Sequence, residues 1–212
     1  MDKGKFLVIE GPDGAGSSTQ LKLAAEYLKS RDRRVHETKE PTNAMIGGLI
    51  RGVQNKTWDI DPYGLQLMYC ADRAHHLTTE IQPSLDKGWD VLTDRYLPST
   101  IVYGAAAISK YPGYSNHNED YWFNLLMKIN SHFLVPDLTI ILNVDPEVAI
   151  SRIRASRPNT ELFEVKEILR NVSENYKKFV LAYPNSILIN ANKNPDEIHN
   201  EIKDTINSRL VS

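Results

Sequence analysis

The chain has 212 residues, a formal net charge of −2, 41% hydrophobic and 25% charged residues, and a single cysteine, Cys70. That length and apolar content suit one globular domain with a substantial core, and the near-neutral charge excludes a general attraction to nucleic acid or an anionic membrane. One cysteine excludes an intrachain disulfide, no run approaches the roughly 18 apolar residues of a membrane span, and no signal-peptide-like apolar core precedes the first glycine-rich turn, so a cytoplasmic protein acting on small anionic ligands is expected.

In chain order, the first short apolar run is Phe6–Glu10, FLVIE, followed by a glycine-rich turn. Leu21, Ala24, Ala25 and Leu28 then fall on one helical face. A second run is expected at Arg34–Thr38, and Leu65, Met68, Tyr69 and Leu77 predict a long helix reaching about Leu85. The third run is Asp90–Asp94. The polar stretch Tyr111–Asp120 reads as a flexible surface loop. Leu138–Val144 is the fourth run, ahead of a helix opened by Asp145-Pro146-Glu147 and a second loop at Ala155–Glu164. Val165, Ile168, Leu169, Val172, Tyr176, Phe179 and Val180 repeat helical spacing, Ser186–Asn190 is the fifth run, and Ile198, Ile202, Ile206 and Leu210 mark a last helix. Each run reads as continuous rather than alternating, as strands covered on both faces do. Alternating strands and helices predict an α/β fold with a five-stranded, mainly parallel sheet, and ligands bind beyond the carboxyl ends of such strands.

The residues after each run carry the chemistry. Gly11-Pro12-Asp13-Gly14-Ala15-Gly16-Ser17-Ser18-Thr19 has the layout of a phosphate-binding loop, in which inward-pointing N–H groups and a helix N-terminus meet phosphate oxygens. The pattern G-x-x-x-x-G-K-[ST] expects lysine where Ser17 stands, while Ser18 occupies the Mg²⁺-ligating hydroxyl position. Lys39 follows the second run, before Glu40-Pro41; alone it reads as a solvated lysine, and opposite the loop it could meet a second anion. Tyr69 and Arg73, four apart, share a helix face that can stack an aromatic ring on a flat ligand and reach its edge, though the same spacing fits a core tyrosine beside a surface arginine. Asp94-Arg95 at the third run's end pairs a carboxylate suited to Mg²⁺ with a guanidinium suited to phosphate. Arg152, Arg154 and Arg157 fall within six residues, the composition of a solvated face or of a lid over a polyphosphate.

Taken together, these motifs resemble the thymidylate kinase family from about Lys5 to Ile206. The family's G-x-D-G-x-G-K-[ST]-T is matched by GPDGAGSST, R-E-P by Lys39-Glu40-Pro41, L-[LM]-[FY]-x-A-x-R by LMYCADR, D-R-[YH]-x-x-S by DRYLPS, and the family's P-D-L-T segment by Pro136–Ala149. The resemblance implies a P-loop kinase fold formed by the whole of 1–212, with a mobile LID at about 152–164. It implies transfer of the γ-phosphoryl of ATP to dTMP with Mg²⁺, in a homodimer. Gly11, Asp13, Gly14, Ala15, Gly16, Ser17, Ser18 and Thr19 would cradle ATP, with Arg152 against the adenine and Ala191 opposite. Ser18 and Asp94 would hold Mg²⁺. Asp13 would also contact the acceptor's 3′-hydroxyl or the metal shell, and Lys39 and Arg95 the acceptor's phosphate, near Ser99. Tyr69 would stack on the base, Arg73 donate to thymine O4, and Tyr103 lie under the sugar. Arg154 and Arg157 would be lid arginines and, with Lys39, Asp94 and Arg95, act on the transferring group.

Ser17 leaves two readings open. Either the chain is an active kinase whose missing charge comes from elsewhere, with Arg154 and Arg157 as the first candidates, or it is a nucleotide-binding relative with weak or no activity and a regulatory role. Another nucleoside monophosphate as acceptor is a third possibility. Loss of one preorganised electrostatic group lowers rates by roughly 10²–10³.

Overall fold

Five strands form one sheet, β1 (Phe6–Glu10), β2 (Val35–Lys39), β3 (Asp90–Asp94), β4 (Leu138–Asn143) and β5 (Ser186–Asn190), all parallel and in the spatial order β2-β3-β1-β4-β5. The structure, a computed structural model, describes residues 3–156 and 163–210, and the side chains among them other than those of 156 and 163–167. Every residue of β1 is buried, because helices cover both faces. Leu7 and Ile9 point into one core with α1 (Ser17–Lys29) and α9 (Pro195–Leu210). Phe6 and Val8 point into the other, with α5 (Leu97–Ile108), α6 (Glu119–Asn130) and α8 (Phe163–Ala182). The period of two is thus present, but both of its faces are apolar. The edge strands β2 and β5 are half-exposed instead, so their expected continuous burial does not hold.

The second strand begins and ends one residue later than its sequence suggested, since its ladder runs from Val35 opposite Asp90 to Lys39 opposite Asp94. The fourth ends at Asn143, whose carbonyl accepts the Ala191 N–H. Remaining helices are α2 (Met45–Gln54), α3 (Pro62–His76), α4 (Gln82–Asp86) and α7 (Pro146–Ser156). A π-helical turn, Leu77–Ile81, joins α3 to α4, so the long helix does reach Asp86 with one register change. α3 departs from its sequence reading in an informative way. Its buried positions are Gln66, Asp72, Arg73 and His76, all polar, while Leu67 is exposed.

The stretch read as a flexible loop at Tyr111–Asp120 contains a 3₁₀ turn, Pro112–Tyr114, and the start of α6 capped by Asn118. Tyr114 anchors it, donating its hydroxyl hydrogen to Asp61 at 2.9 Å and packing edge-on against Trp122. Of the second expected loop, Ala155 and Ser156 belong to α7 and α8 begins at Phe163, while 157–162 lie outside the described residues. Among the described residues no helix is long and apolar enough to cross a membrane.

β1 is central, and the chain leaves it to one side for β2 and β3 and returns on the other for β4 and β5. The carboxyl ends of β1 and β3 therefore flank a topological switch point, where a doubly wound sheet opens a crevice.

Candidate active site

The loop after β1 is shaped by glycines in the left-handed region. Gly14 (φ 83°) packs so closely on α7 that a Cβ would lie 2.5 Å from the Ala149 carbonyl oxygen, and Gly16 (φ 90°) forms the N-cap of α1. Ala15 N–H bonds back to the Pro12 carbonyl at 3.0 Å, closing the turn. No side chain caps α1 and no acid sits in its first turn, so its leading N–H groups are left for an anion. Ser17 contributes a backbone N–H to this rim and no charge.

Ser18, on the first turn of α1, donates its hydroxyl hydrogen to Asp94 Oδ2 across the crevice. The other oxygen, Asp94 Oδ1, is buried with no hydrogen-bond partner. A hydroxyl and a carboxylate with an idle buried oxygen form a donor set that suits a hard cation such as Mg²⁺, which typically takes one or two protein ligands and completes its shell with water and phosphate. Among the described residues no cluster of three or more His, Cys, Asp or Glu side chains could hold a metal by itself.

Arg95 follows β3 in a left-handed conformation (φ 71°), an arrangement that costs a non-glycine residue about 1–3 kcal/mol and is retained where surroundings enforce it. Its N–H bonds to the Ile9 carbonyl, and its guanidinium donates to Asp13 Oδ1 at 2.5 Å and Ser99 Oγ at 2.9 Å. Behind Arg95 lies Glu10, fully buried, which accepts from Tyr96 N–H, Ser99 N–H, the Ser99 hydroxyl and the Tyr176 hydroxyl. Burial pushes the Glu10 carboxyl up, and Arg95 and these donors pull against that shift. Across Arg95, Tyr103 accepts the Asp13 N–H at 3.1 Å, and desolvation raises its phenol to about 12.

From Arg95 a cavity of about 490 Å³ runs between α3 and α5, lined by Asp13, Gln66, Tyr69, Arg73, Ser99, Thr100 and Tyr103 among others. That volume suits a mononucleotide-sized ligand. Tyr69 is held by a 2.8 Å hydrogen bond from Gln54 Nε2. Arg73 is 0% exposed. Glu40 accepts from its Nε (3.0 Å) and Nη2 (2.7 Å), Thr100 from Nη2 (2.9 Å) and Asn130 from Nη1 (2.6 Å), leaving one of the five N–H groups uncommitted. Tyr96 lies under the guanidinium at 4.9 Å. The second Glu40 oxygen meets His76 Nδ1 at 3.1 Å, and His76 Nε2 meets Thr38 Oγ1 at 2.8 Å. Asp72 secures the turn after Glu40 by accepting from the Thr42 N–H and hydroxyl, each at 2.7 Å.

Gln66 completes the cavity's polar lining. Its Nε2 donates to the Pro62 carbonyl at 3.3 Å, which fixes the amide orientation and leaves Oε1 buried without a partner. Gly104 on α5 permits this packing, because a Cβ there would come within 2.7 Å of Gln66 Cγ.

The family model for thymidylate kinase matches residues 9–202, almost the whole α/β unit just described. The chain belongs to the thymidylate kinase family. It is 36% identical over 204 residues to a probable thymidylate kinase of Pyrobaculum aerophilum, covering 95% of each chain. Similar relatives are probable thymidylate kinases of Thermococcus kodakarensis, 34% identical with 93% of this chain and 94% of that one covered, and of Methanocaldococcus jannaschii, 34% identical with 93% of each covered.

Set beside this family, the structure brings Asp13, Tyr69, Arg73, Arg95, Ser99 and Tyr103 to one cavity. Lys39 is not on that cavity. It lines the neighbouring cleft with Ser18 and Asp94, so it faces the loop side of the crevice. Arg152 lies on the loop, donating to the Gly14 carbonyl at 3.4 Å and the Lys193 carbonyl at 3.3 Å. Ala191 is buried beside it, with Asn192 accepting from Asp145 N–H. Thr19 is exposed on α1, and Arg154 is exposed at the end of α7. Arg157 lies outside the described residues. Glu40, Thr100, Asn130, His76 and Gln66 were given no role by the sequence reading. Glu40 stood inside a quoted motif, and Gln66 lies three residues before Tyr69 on the same helical face.

Proposed function

We propose that the protein transfers the γ-phosphoryl group of ATP to dTMP, giving dTDP and ADP. The observation that supports this most is one cavity with a fixed cation, Arg95, and a buried donor and acceptor, Arg73 and Gln66, along its wall. A thymine offers an acceptor at O4 and a donor at N3, and these groups complement the uncommitted Arg73 N–H and the idle Gln66 oxygen. Cytosine reverses both positions, so a cytosine base would leave two buried groups unpaired.

In the reaction, an oxygen of the acceptor monophosphate attacks the γ-phosphorus in line. The bond to the β,γ-bridging oxygen breaks, and its electron pair leaves on ADP. No proton need be removed from an anionic acceptor, which agrees with a site rich in cations and hydrogen-bond donors and without an activated nucleophile. Arg95 holds the acceptor phosphate, oriented by Asp13, Ser99 and Glu10. Tyr69 stacks on the base, Tyr103 lies under the sugar, and the loop N–H groups of Gly11–Thr19 cradle the donor, with Arg152 and Ala191 beside its adenine. Ser18 and Asp94 would hold Mg²⁺, which would supply positive charge against the donor phosphates. Arg154 and Arg157, on the segment from α7 onward, act as a lid. The exposed Met45, Leu49 and Leu67 on α2 and α3 offer an apolar face for a second copy in a homodimer.

Incubation with dTMP and Mg-ATP labelled at the γ-phosphorus tests the reaction. Label in the β-position of dTDP is expected; label found only in ATP or free phosphate contradicts the proposal.

A further inference from the structure

The missing loop lysine leaves a specific vacancy of charge beside the first turn of α1, and the structure offers a candidate to fill it. The cleft next to the acceptor cavity is lined by Ser18, Lys22, Glu37, Lys39, Glu80 and Asp94. Each of its acids has a partner: Asp94 Oδ2 accepts the Ser18 hydroxyl, Glu37 is paired with Lys29 at 2.6 Å, and Glu80 accepts the Thr38 hydroxyl at 3.1 Å and faces His36 at 3.3 Å. Lys39 is exposed, and its ammonium makes no ion pair or hydrogen bond among the described residues. Lys39 sits opposite Asp94 in the β2–β3 register, and the next peptide, Glu40 N–H, bonds to the Asp94 carbonyl at 3.1 Å. The root of the side chain is therefore fixed against the residue that faces Ser18, while its end is free.

We infer that Lys39 supplies the cation that Ser17 does not, meeting the phosphoryl group in transfer from the Ser18–Asp94 side, while Arg95 alone holds the acceptor's phosphate. This rests on the kinase reading above and assigns Lys39 a different partner from the one the family resemblance implies. The two roles are chemically distinct. A cation on the acceptor phosphate contributes to binding in the ground state, whereas one on the transferring group acts mainly in the transition state. A lysine is suited to the second task, because its compact ammonium on a flexible stem can follow a group that moves between two oxygens. Lys22, the other lysine of the cleft, stands one helical turn beyond Ser18, about 6 Å further from the loop by helical rise.

The test is a double-mutant cycle on the full chain: Lys39→Ala, Ser17→Lys and the pair, with kcat measured under saturating Mg-ATP and dTMP, and dTMP affinity measured separately by calorimetry without ATP. Lys39→Ala is expected to lower kcat by roughly 10²-fold, the usual effect of losing one preorganised charge, with much less change in dTMP affinity. Ser17→Lys should recover at least about tenfold of that loss in the Lys39→Ala background, and far less in the parent, because the two cations substitute for one another. Lys39→Ala weakening dTMP binding with kcat unchanged would overturn the inference, as would Ser17→Lys acting equally in both backgrounds. A larger kcat loss in Lys22→Ala than in Lys39→Ala would also overturn it. No turnover in the unmodified chain with dTMP would instead sink the kinase reading, and this assignment with it.

Discussion

Replacing Glu40 with alanine should destabilise the protein more than almost any other single change near the cavity. Glu40 is 5% exposed and Arg73 and His76 are 0% exposed. The carboxylate accepts two of Arg73's N–H groups, at 3.0 and 2.7 Å, and faces His76 at 3.1 Å. Without it the guanidinium keeps only the neutral partners Thr100 and Asn130 and stays buried among Tyr96 and Phe133. Removing one partner of such a pair costs about 3–5 kcal/mol, because the charge left behind has no solvent to turn to. At about 2–4 °C per kcal/mol for a domain of this size, thermal denaturation should show a Tm lower by roughly 6–20 °C. Glu40→Gln keeps the shape and one acceptor, so its loss should be clearly smaller. A Glu40→Ala variant melting within about 3 °C of the parent would mean that Arg73 finds water or another anion unaided and that the pair contributes little to stability.

Gln66→Leu should lose base discrimination while keeping the fold, and the readout is dTMP against its N3-methyl derivative. The parent should prefer dTMP by a factor on the order of 10 or more, while the variant should bind both alike; an unchanged preference would remove Gln66 from the base site. Asp61, the N-cap of α3, has its carboxyl held below the ordinary 3.8, first by the Gly64 N–H and then by the Tyr114 hydroxyl. A depressed folded-state pKa means stability that is present above the unfolded value and lost as pH falls through the folded one. Asp61→Ala should therefore cost about 0.5–2 kcal/mol at pH 7, with the gap to the parent closing below pH 3.8. A gap that persists unchanged into strong acid would contradict this.

The parts of the fold most legible in the sequence were those where one physical signal dominates. β1, β3 and β5 were read to the residue, because apolar runs bounded by turn residues admit few other endings. The helices α2, α5 and α6 were not read. For α5 the reason is clear: nine of its twelve residues are buried between α3, α6, α8 and the sheet, so it has no polar stripe to reveal a period. In the site, motif residues such as Tyr69, Arg73 and Arg95 were legible, but their supports were not. Asn130 reaches Arg73 from α6 and Glu10 reaches Ser99 from β1, across separations of 57 and 89 residues that no local pattern records. The placement of Lys39 also needed three dimensions. Sequence puts it at the end of a strand, and only the packed structure shows it lining the cleft with Ser18 and Asp94 rather than the acceptor cavity.

Whether a chain with Ser17 in place of the loop lysine phosphorylates dTMP is decided by ADP release with Mg-ATP across dTMP, dUMP, dCMP, dAMP and dGMP. The highest kcat/KM is expected with dTMP, with a deficit of about 10–200-fold for dUMP from the missing methyl and one of roughly 10⁴ for dCMP from the unpaired buried groups. ADP release that no acceptor raises above background, or that is as fast with dCMP as with dTMP, would contradict that expectation.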